Sequence, residues 1–325
     1  MPPQTKQQKY FWVFTRLVPP ALLLVFAVSA LVYLTFPPND FPIKKLIVIP
    51  EGATLRDVSV LLTDEHVVRS QTAFAVFVRY KGAESHIIAG EYLFSSPLDI
   101  FEVVRRLAEG EHGIERYRIT IPEGTSVTGM GRIFKKTFSQ FDDAQFSALA
   151  KNSEGYLFPD TYFFFSTATS GPIVDTLKQN FLKKTDPLYK EALANKKNWP
   201  DTIIMASIIE EEAMTAKDRR VVSGILWKRL TKSMSLGVDA PFAYDIGKNS
   251  ATLSALDLKS DTPYNTYLYV GLPPTPITNP GLDAIDAALH PEISAYFYYL
   301  SDKDGTMHYA KTFEEHKVNK ERYLR

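Results

Sequence analysis

Three consecutive glutamates, Glu210, Glu211 and Glu212, directly follow an apolar segment over residues 203–209. In a helix of about 100° per residue, Glu212 shares a stripe with Met205, while Glu210 and Glu211 point away from the centre of that stripe. A carboxylate on an apolar face, beside like charges, has its pKa raised, which suits a general acid near neutral pH. We therefore predict that Glu212 is the catalytic residue and that it alone of the three faces inward.

Composition limits the classes of protein to which this chain can belong. It has 325 residues, 37 Lys and Arg against 37 Asp and Glu, and 45% hydrophobic residues, so it can bury a core and form more than one domain. The balanced charge gives no indication of nucleic-acid binding. There is no cysteine, hence no disulfide, and no metal-ligand spacing, so neither a metal nor a cofactor is expected.

The N-terminus carries a candidate membrane segment over residues 17–36, a nearly uncharged apolar run preceded by Lys6, Lys9 and Arg16. About 20 residues rising 1.5 Å each span a bilayer core, and positive flanks stay in the cytoplasm. We expect residues 1–16 to be cytoplasmic, residues 17–36 to be a single transmembrane anchor, and the remainder to be exported.

A cleaved signal peptide is the alternative, because the small residues over 28–30 suit a signal peptidase. However, the apolar run continues over residues 31–34, beyond that point, and is longer than a typical signal-peptide core. The sequence therefore favours an uncleaved anchor.

The exported part contains a weak internal repeat, residues 47–55 and 119–127. Each copy predicts a short strand, a Pro-Glu-Gly turn and a helix that begins at a Thr or Ser cap. With the segments that follow the first copy, residues 44–95 predict the order strand, helix, helix, strand. The remaining patterns predict an α+β fold, with helices over 97–109, within 127–149, over 219–229 and over 283–289, strands over 296–300 and 307–310, and a basic helical tail.

Residues 154–165 form an aromatic run whose Pro159-Asp160 turn should interrupt any regular strand. Aromatic rings commonly form core. The same rings beside Glu154, Tyr156 and Asp160 would also suit a carbohydrate cleft, because sugar C–H faces stack on rings and hydroxyls need acceptors. Both interpretations stay open, and these three residues are candidates for substrate contact.

Two Pro- and Gly-rich segments, residues 261–267 and 271–281, have the composition of stiff loops, which hold side chains at low entropic cost. Tyr264, Asn265 and Tyr267 are candidates for substrate binding, with the amide able to bond an N-acetyl group and the tyrosines able to stack. The alternative is that they serve turn formation and packing.

Several motifs together resemble those of the endolytic murein transglycosylases, the MltG or YceG-like family, and occur in the family's order. They are Ala206-Ser207-Ile208-Ile209-Glu210-x-Glu212, Asp261-Thr262-Pro263-Tyr264-Asn265-Thr266-Tyr267, Gly271-Leu272-Pro273-Pro274-Thr275-Pro276-Ile277, Ala287-Ala288-Leu289-His290-Pro291, and the segment from Glu154 to Tyr162.

The resemblance implies a single-pass inner-membrane protein with a periplasmic LysM-like subdomain over residues 44–112 and a YceG-like catalytic domain over residues 113–325. Such enzymes cleave the bond between N-acetylmuramic acid and N-acetylglucosamine inside nascent peptidoglycan strands. They use no water, leave a 1,6-anhydromuramoyl end and so terminate strand elongation. Peptidoglycan synthases are the expected partners, by analogy. The family's Glu-x-Glu-Thr pattern places its catalytic residue at Glu212.

The chain departs from the family's pattern at three places. Glu211 stands where the family commonly has Lys, and Ala213 replaces a Thr. Residues 236–240 replace a Gln-Thr-Asp-Pro run and keep only Asp239. A missing cation should raise the pKa of Glu212 further. Asp239 and Glu210 complete the candidates for substrate contact.

Two alternative functions remain at the level of sequence. A hydrolase would need a second carboxylate to activate water, for which Asp239, Asp160 and Glu154 are the candidates. A membrane-anchored, non-enzymatic scaffold could instead bind glycan, with the glutamates forming a solvated helix face. The scaffold predicts an exposed Glu212, whereas an enzyme predicts Glu212 at the base of an aromatic cleft.

Overall fold

The computed structural model describes residues 22–324 except residues 27, 85, 249–251 and 255. The chain divides into two compact units, with the boundary between residues 115 and 116. Each unit has its own apolar core, as expected for independently packed regions.

The predicted anchor over residues 17–36 lies partly outside the described residues, as does the whole segment 1–16. Residues 22–26 and 28–35 are helical. Within the described ranges, no helix combines the length and the apolar character needed to cross a membrane. The anchor therefore stays a prediction.

The first unit has the predicted order of strand, helix, helix, strand. Its elements are β1 (Leu46–Ile49), α1 (Leu55–Asp64), α2 (Gln71–Tyr80), β2 (Gly90–Leu93) and α3 (Ile100–Glu109). β1 pairs antiparallel with β2, with Leu46 opposite Leu93. The fully buried side chains of this unit include Leu62, Phe74, Tyr92, Phe94 and Leu107.

The described residues of the second unit are mostly helical and form two separate two-stranded antiparallel sheets, β3–β4 and β5–β6. Its elements are β3 (Arg116–Thr120), α4 (Val127–Thr137), α5 (Asp143–Ala150), β4 (Thr161–Phe165), α6 (Ser170–Ala194), α7 (Trp199–Glu212), α8 (Ala216–Thr231), α9 (Ala240–Asp245), α10 (Leu282–Leu289), β5 (Tyr298–Ser301), β6 (Met307–Ala310) and α11 (Phe313–Tyr323). The chain is thus a mixed α+β protein, as predicted.

Both copies of the internal repeat fold as their sequences indicate. The turns place Gly52 and Gly124 at φ of +75° and +77°, a conformation that favours glycine. Thr54 and Ser126 then cap α1 and α4, each accepting a hydrogen bond from a backbone N–H three residues ahead. Local signals thus account for the turn and the capped helix, whereas the strands pair with the distant segments β2 and β4.

α7 is the central helix of the second unit. It begins at Asn198, whose side chain accepts a hydrogen bond from the Asp201 N–H. Every side chain over residues 203–209 is buried, and α7 packs against α6, α8 and α10. A helix that is apolar all round is a core helix, so its last residues are held rigidly where they leave the core.

Two features of the second unit differ from the sequence analysis. The 25-residue α6 was not predicted; it contains Pro187 and lacks a side-chain cap at Thr169. β4 begins immediately after the Pro159-Asp160 turn, with Thr161 opposite Thr120, so the turn starts a strand instead of breaking one. The segment within 127–149 is mostly helical, as predicted, and forms the two helices α4 and α5.

Candidate active site

Glu212 is the last residue of α7, at the point where the chain leaves the core. The next residue, Ala213, is extended and buried, with its carbonyl accepting a hydrogen bond from Arg219 Nε at 3.0 Å. Ala213, which replaces the Thr of the family's pattern, is thus packed into the core. Glu212 itself is half-buried, which is not the exposed side chain that a solvated helix face would require.

Glu212 lines a cleft of about 250 Å³. The walls come from elements far apart in the chain: α8, the segment before α9, the loop after residue 261, β5 and α11. The side chains that shape the cleft beside Glu212 include Arg229, Asp239, Tyr267, Tyr298, Tyr299, His316 and Lys320. Three tyrosines and several charged groups make it an amphipathic cleft of the kind that suits a sugar.

The carboxyl group of Glu212 has a raised pKa. Burial raises it to about 7, the negative charges of Asp239 and Glu211 act in the same direction, and a hydrogen bond from Tyr299 opposes them. The Tyr299 hydroxyl donates to Glu212 Oε2 at 2.9 Å, and burial raises the pKa of Tyr299 well above its ordinary value, so it stays protonated. A carboxyl with a pKa near 7 can both give and take a proton at neutral pH.

Asp239 and Tyr267 lie in the same cleft, and the Tyr267 hydroxyl donates to Asp239 Oδ1 at 2.6 Å. Their backbones are joined through Thr266, whose Oγ1 accepts from the Val238 N–H at 3.0 Å and donates to the Val238 carbonyl at 2.6 Å. This loop pairing brings two sequence motifs together beside Glu212.

Glu210 corrects the expectation that Glu212 alone faces inward. The Glu210 side chain is only 5% exposed and forms an ion pair with Arg219, itself buried. Its second oxygen accepts a hydrogen bond from the Gly281 N–H at 2.9 Å. A helical projection of α7 alone cannot include Arg219, which lies on α8. Because Arg219 supplies a positive charge, the Glu210 carboxylate can be buried on the other side of α7. Glu210 does not line the cleft.

Asn265 is fully buried, and its amide hydrogens are already used. Its Nδ2 donates to the carbonyls of Leu258 and Ser260 at 3.0 and 2.9 Å, and its Oδ1 accepts from the Tyr267 N–H at 3.1 Å. Its contacts are those of turn chemistry, and they fix the loop that carries Tyr267.

Four further candidates lie outside the Glu212 cleft. Asp160 accepts a hydrogen bond from Asn180 and pairs with Lys184 at 3.2 Å. Tyr156 packs edge-on against Phe181, with the ring centroids 5.2 Å apart. Tyr264 and Glu154 belong to a second cluster, which is joined by Tyr244. The ring centroids of Tyr244 and Tyr264 are 5.9 Å apart, and the Tyr244 hydroxyl donates a hydrogen bond to Glu154.

Glu154 forms the centre of that second cluster and is 8% exposed. It accepts hydrogen bonds from the Val127 N–H at the start of α4, from Asn279 Nδ2 at 2.8 Å and from the Tyr244 hydroxyl at 3.2 Å. Burial nevertheless raises its pKa to about 7. Asn279 also accepts from the Leu157 N–H at 2.9 Å, so the cluster joins α4, the aromatic run and the Pro-rich loop.

We predict that Glu154 makes stability fall as the pH rises. Its folded-state pKa of about 7 lies above the ordinary 4.5, so between these values the folded chain holds more protons than the unfolded chain. The free energy of unfolding should therefore decrease from pH 4.5 to pH 7, by on the order of 3 kcal/mol from this group. Denaturant unfolding at pH 5 and pH 8 measures the decrease in the wild type and in Glu154→Gln.

The Glu154→Gln variant cannot titrate at this position, so its decrease should be smaller by that amount. Glu212 titrates over the same range in both proteins, and its contribution cancels in the comparison. Equal decreases in the two proteins would show that Glu154 is already ionised at pH 5 in the folded state.

Several residues of the cleft were missed as site residues. Tyr299 lies in a strand that the sequence predicted, and Arg229 is the last residue of a predicted helix, but neither was assigned a role. His316 and Lys320 lie in the basic tail, four residues apart on α11. The i, i+4 spacing of a histidine and a lysine was the one signal available, and it does not indicate which surface they face.

The fold and the cleft define the class of protein: an α+β enzyme whose site combines one carboxyl group of raised pKa with aromatic walls. The chain belongs to the YceG-like family, whose profile matches residues 47–322.

Individual relatives agree with this assignment. A Bacillus subtilis protein named endolytic murein transglycosylase is 33% identical over 306 residues, covering 85% of this chain and 84% of that protein. A Streptococcus pneumoniae D39 protein of the same name is 26% identical over 328 residues, and the chain spans 59% of its length. The crystal structure of a YceG-like protein from Listeria monocytogenes superposes with a TM-score of 0.58 at 28% identity, covering 84% of this chain and 98% of that one.

Proposed function

We propose that this chain is an endolytic murein transglycosylase, which cleaves the bond between N-acetylmuramic acid and N-acetylglucosamine within a glycan strand. The observation that carries the proposal is the Glu212 carboxyl, half-buried in a tyrosine-walled cleft with a pKa of about 7. The names of the bacillary and streptococcal relatives support the same activity.

The reaction needs one carboxyl group that acts twice. Protonated Glu212 gives its proton to the glycosidic oxygen as positive charge develops on the sugar ring. Because Tyr299 donates to Oε2, the proton resides on Oε1 and is free to be transferred. The resulting carboxylate then takes the proton of the muramoyl C6 hydroxyl, whose oxygen attacks C1 and closes the 1,6-anhydro ring.

Tyr299 and Asp239 adjust Glu212 for these two roles in opposite directions. The Tyr299 hydrogen bond stabilises the carboxylate and lowers the pKa of Glu212, which assists the second step. The negative charge of Asp239 raises that pKa, which assists the first step, and it can also stabilise positive charge on the sugar ring. A pKa of about 7 is the balance of these effects with burial.

The products identify the reaction. Full-length protein is incubated with uncrosslinked glycan strands, and the fragments are analysed by mass spectrometry. We expect internal fragments that end in 1,6-anhydromuramic acid. Reducing ends would instead mean that water captures C1, with Asp239 as the nearest candidate to activate it. A folded protein that binds strands without cleaving them would favour the non-enzymatic scaffold.

We propose the following organisation around this activity. Residues 17–36 anchor the chain in the inner membrane, residues 1–16 remain in the cytoplasm, and the catalytic domain over residues 113–325 lies in the periplasm. The positive charges before the apolar run support this orientation. A LysM-like subdomain over residues 44–112 is supported by the order β1, α1, α2, β2. Peptidoglycan synthases are the proposed partners, since nascent strands are their product.

A further inference from the structure

The Glu212 cleft contains two cations that have no carboxylate partner. Arg229 and Lys320 both line it, and within the described part of the chain neither forms an ion pair. The cleft's own carboxyl groups, Glu212 and Asp239, accept hydrogen bonds from Tyr299 and Tyr267, respectively. Arg219, the buried arginine on the same helix as Arg229, is by contrast paired with Glu210. A half-buried arginine without an anion is unusual and indicates that one is supplied from outside.

Arg229 is held in place for such an anion. Its Nε donates to the Phe297 carbonyl at 2.8 Å, its Nη1 donates to the Leu236 carbonyl, and the Tyr298 ring lies 4.9 Å from the guanidinium carbon. These contacts fix the guanidinium group while leaving Nη2 without a hydrogen bond to the described residues. Burial lowers the pKa of Arg229, because the guanidinium group has lost part of its contact with water.

His316 supplies an independent observation in the same wall of the cleft. Its Nδ1 is buried and has no hydrogen-bond partner among the described residues. The ring stacks on Tyr298 at 5.5 Å, and burial together with the charges of Arg229 and Lys320 lowers the pKa of His316. A neutral imidazole with an unused nitrogen therefore lies beside two unpaired cations. Buried polar atoms normally have partners, so this wall of the cleft contains an unsatisfied polar atom as well as two cations.

Along a murein glycan strand, anions occur at one kind of position. The sugar rings of murein are neutral, and carboxylates occur only on the lactyl arm of the muramoyl residue. That arm ends either in a free carboxylate or in a peptide stem that bears carboxylates. A guanidinium group recognises a carboxylate through paired N–H donors, and an ammonium group adds a point charge.

We propose that Arg229 and Lys320 bind a carboxylate carried by the lactyl arm of a muramoyl residue. This inference rests on the proposed function and adds a determinant of substrate choice to it. The cleft then distinguishes muramoyl strands from neutral N-acetylglucosamine polymers by charge as well as by shape. The contribution is electrostatic, so it should weaken as the salt concentration rises.

Binding is measured separately from cleavage, in full-length protein carrying Glu212→Gln. Three ligands are compared: strands with peptide stems, amidase-treated strands with free lactyl carboxylates, and neutral chitooligosaccharides. Lys320→Gln should raise the Kd for a muramoyl ligand about threefold, because an exposed cation contributes little binding energy. Arg229→Gln should raise the Kd by about tenfold or more, because a half-buried arginine contributes more. The Kd for chitooligosaccharides should not change in either variant.

Lys317→Gln is the matched control, because Lys317 lies on the same helix, pairs with Glu314 and does not line the cleft. Lys320 is exposed, so Lys320→Gln tests the proposal even if Arg229→Gln fails to fold. An effect confined to stem-bearing strands assigns the carboxylate to the stem, and an effect confined to amidase-treated strands assigns it to the lactyl group.

Two results would overturn the assignment: muramoyl affinities in Lys320→Gln that match those of the Lys317→Gln control, or equal losses for the neutral ligand. If muramoyl strands do not bind the Glu212→Gln protein at all, the proposed function fails and not only this inference. The two failures are therefore distinguishable.

Discussion

Glu212→Gln should lower the rate of strand cleavage by between about 10²- and 10⁴-fold, the range typical of losing a general acid. Glutamine is nearly the same size and can still accept the Tyr299 hydrogen bond, but it has no proton to transfer. The loss should therefore fall on kcat with little change in strand affinity. Steady-state release of fragments from uncrosslinked strands measures it.

The pH dependence gives a second signature of the same group. Because the first step needs protonated Glu212, whose pKa is about 7, the wild-type rate should fall as the pH rises above 7. Glu211→Gln is the neighbouring control. It removes one of the charges that raise the Glu212 pKa, so activity should persist and its alkaline limit should move to lower pH. A folded Glu212→Gln that retains more than about a tenth of the activity would contradict the assignment.

Arg219→Met should lower the free energy of unfolding by about 3–5 kcal/mol. The change leaves Glu210, whose side chain is 5% exposed, as a buried charge without its cation. It also removes the hydrogen bond from Arg219 to the Ala213 carbonyl, directly after α7. Denaturant unfolding at pH 7 measures the loss.

A double variant and a matched control separate charge from packing. Adding Glu210→Gln to Arg219→Met neutralises the stranded charge and keeps an acceptor for the Gly281 N–H, so part of the stability should return. Arg220→Met, one residue along α8, breaks a more exposed pair with Asp286 and should cost no more than about 1 kcal/mol. Equal losses in Arg219→Met and Arg220→Met would show that burial of the Glu210 pair contributes little.

Local sequence signals determined the parts of the fold whose interactions are local. The Pro-Glu-Gly turn and the capped helix of each repeat follow from glycine conformation and side-chain caps within a few residues. The 25-residue α6 has neither a side-chain cap nor an uninterrupted pattern, and the burial of Ile173, Leu177 and Phe181 stabilises it. Its formation depends on the core, which a local pattern does not describe.

The sequence by itself also indicated Glu212 as the catalytic carboxylate, from its place on the apolar stripe of the helix and from the resemblance to the family's Glu-x-Glu pattern. Only the tertiary structure decided the environment of each. Tyr299, which lies 87 residues beyond Glu212, donates a hydrogen bond to the Glu212 carboxyl group. Arg219 forms an ion pair with Glu210, which is buried on another side of α7. In the tertiary structure, the Asn265 side chain forms hydrogen bonds within a turn, and Arg229 lines the cleft. The physical reason is that a pKa and an ion pair depend on distances in space, which helical periodicity does not specify.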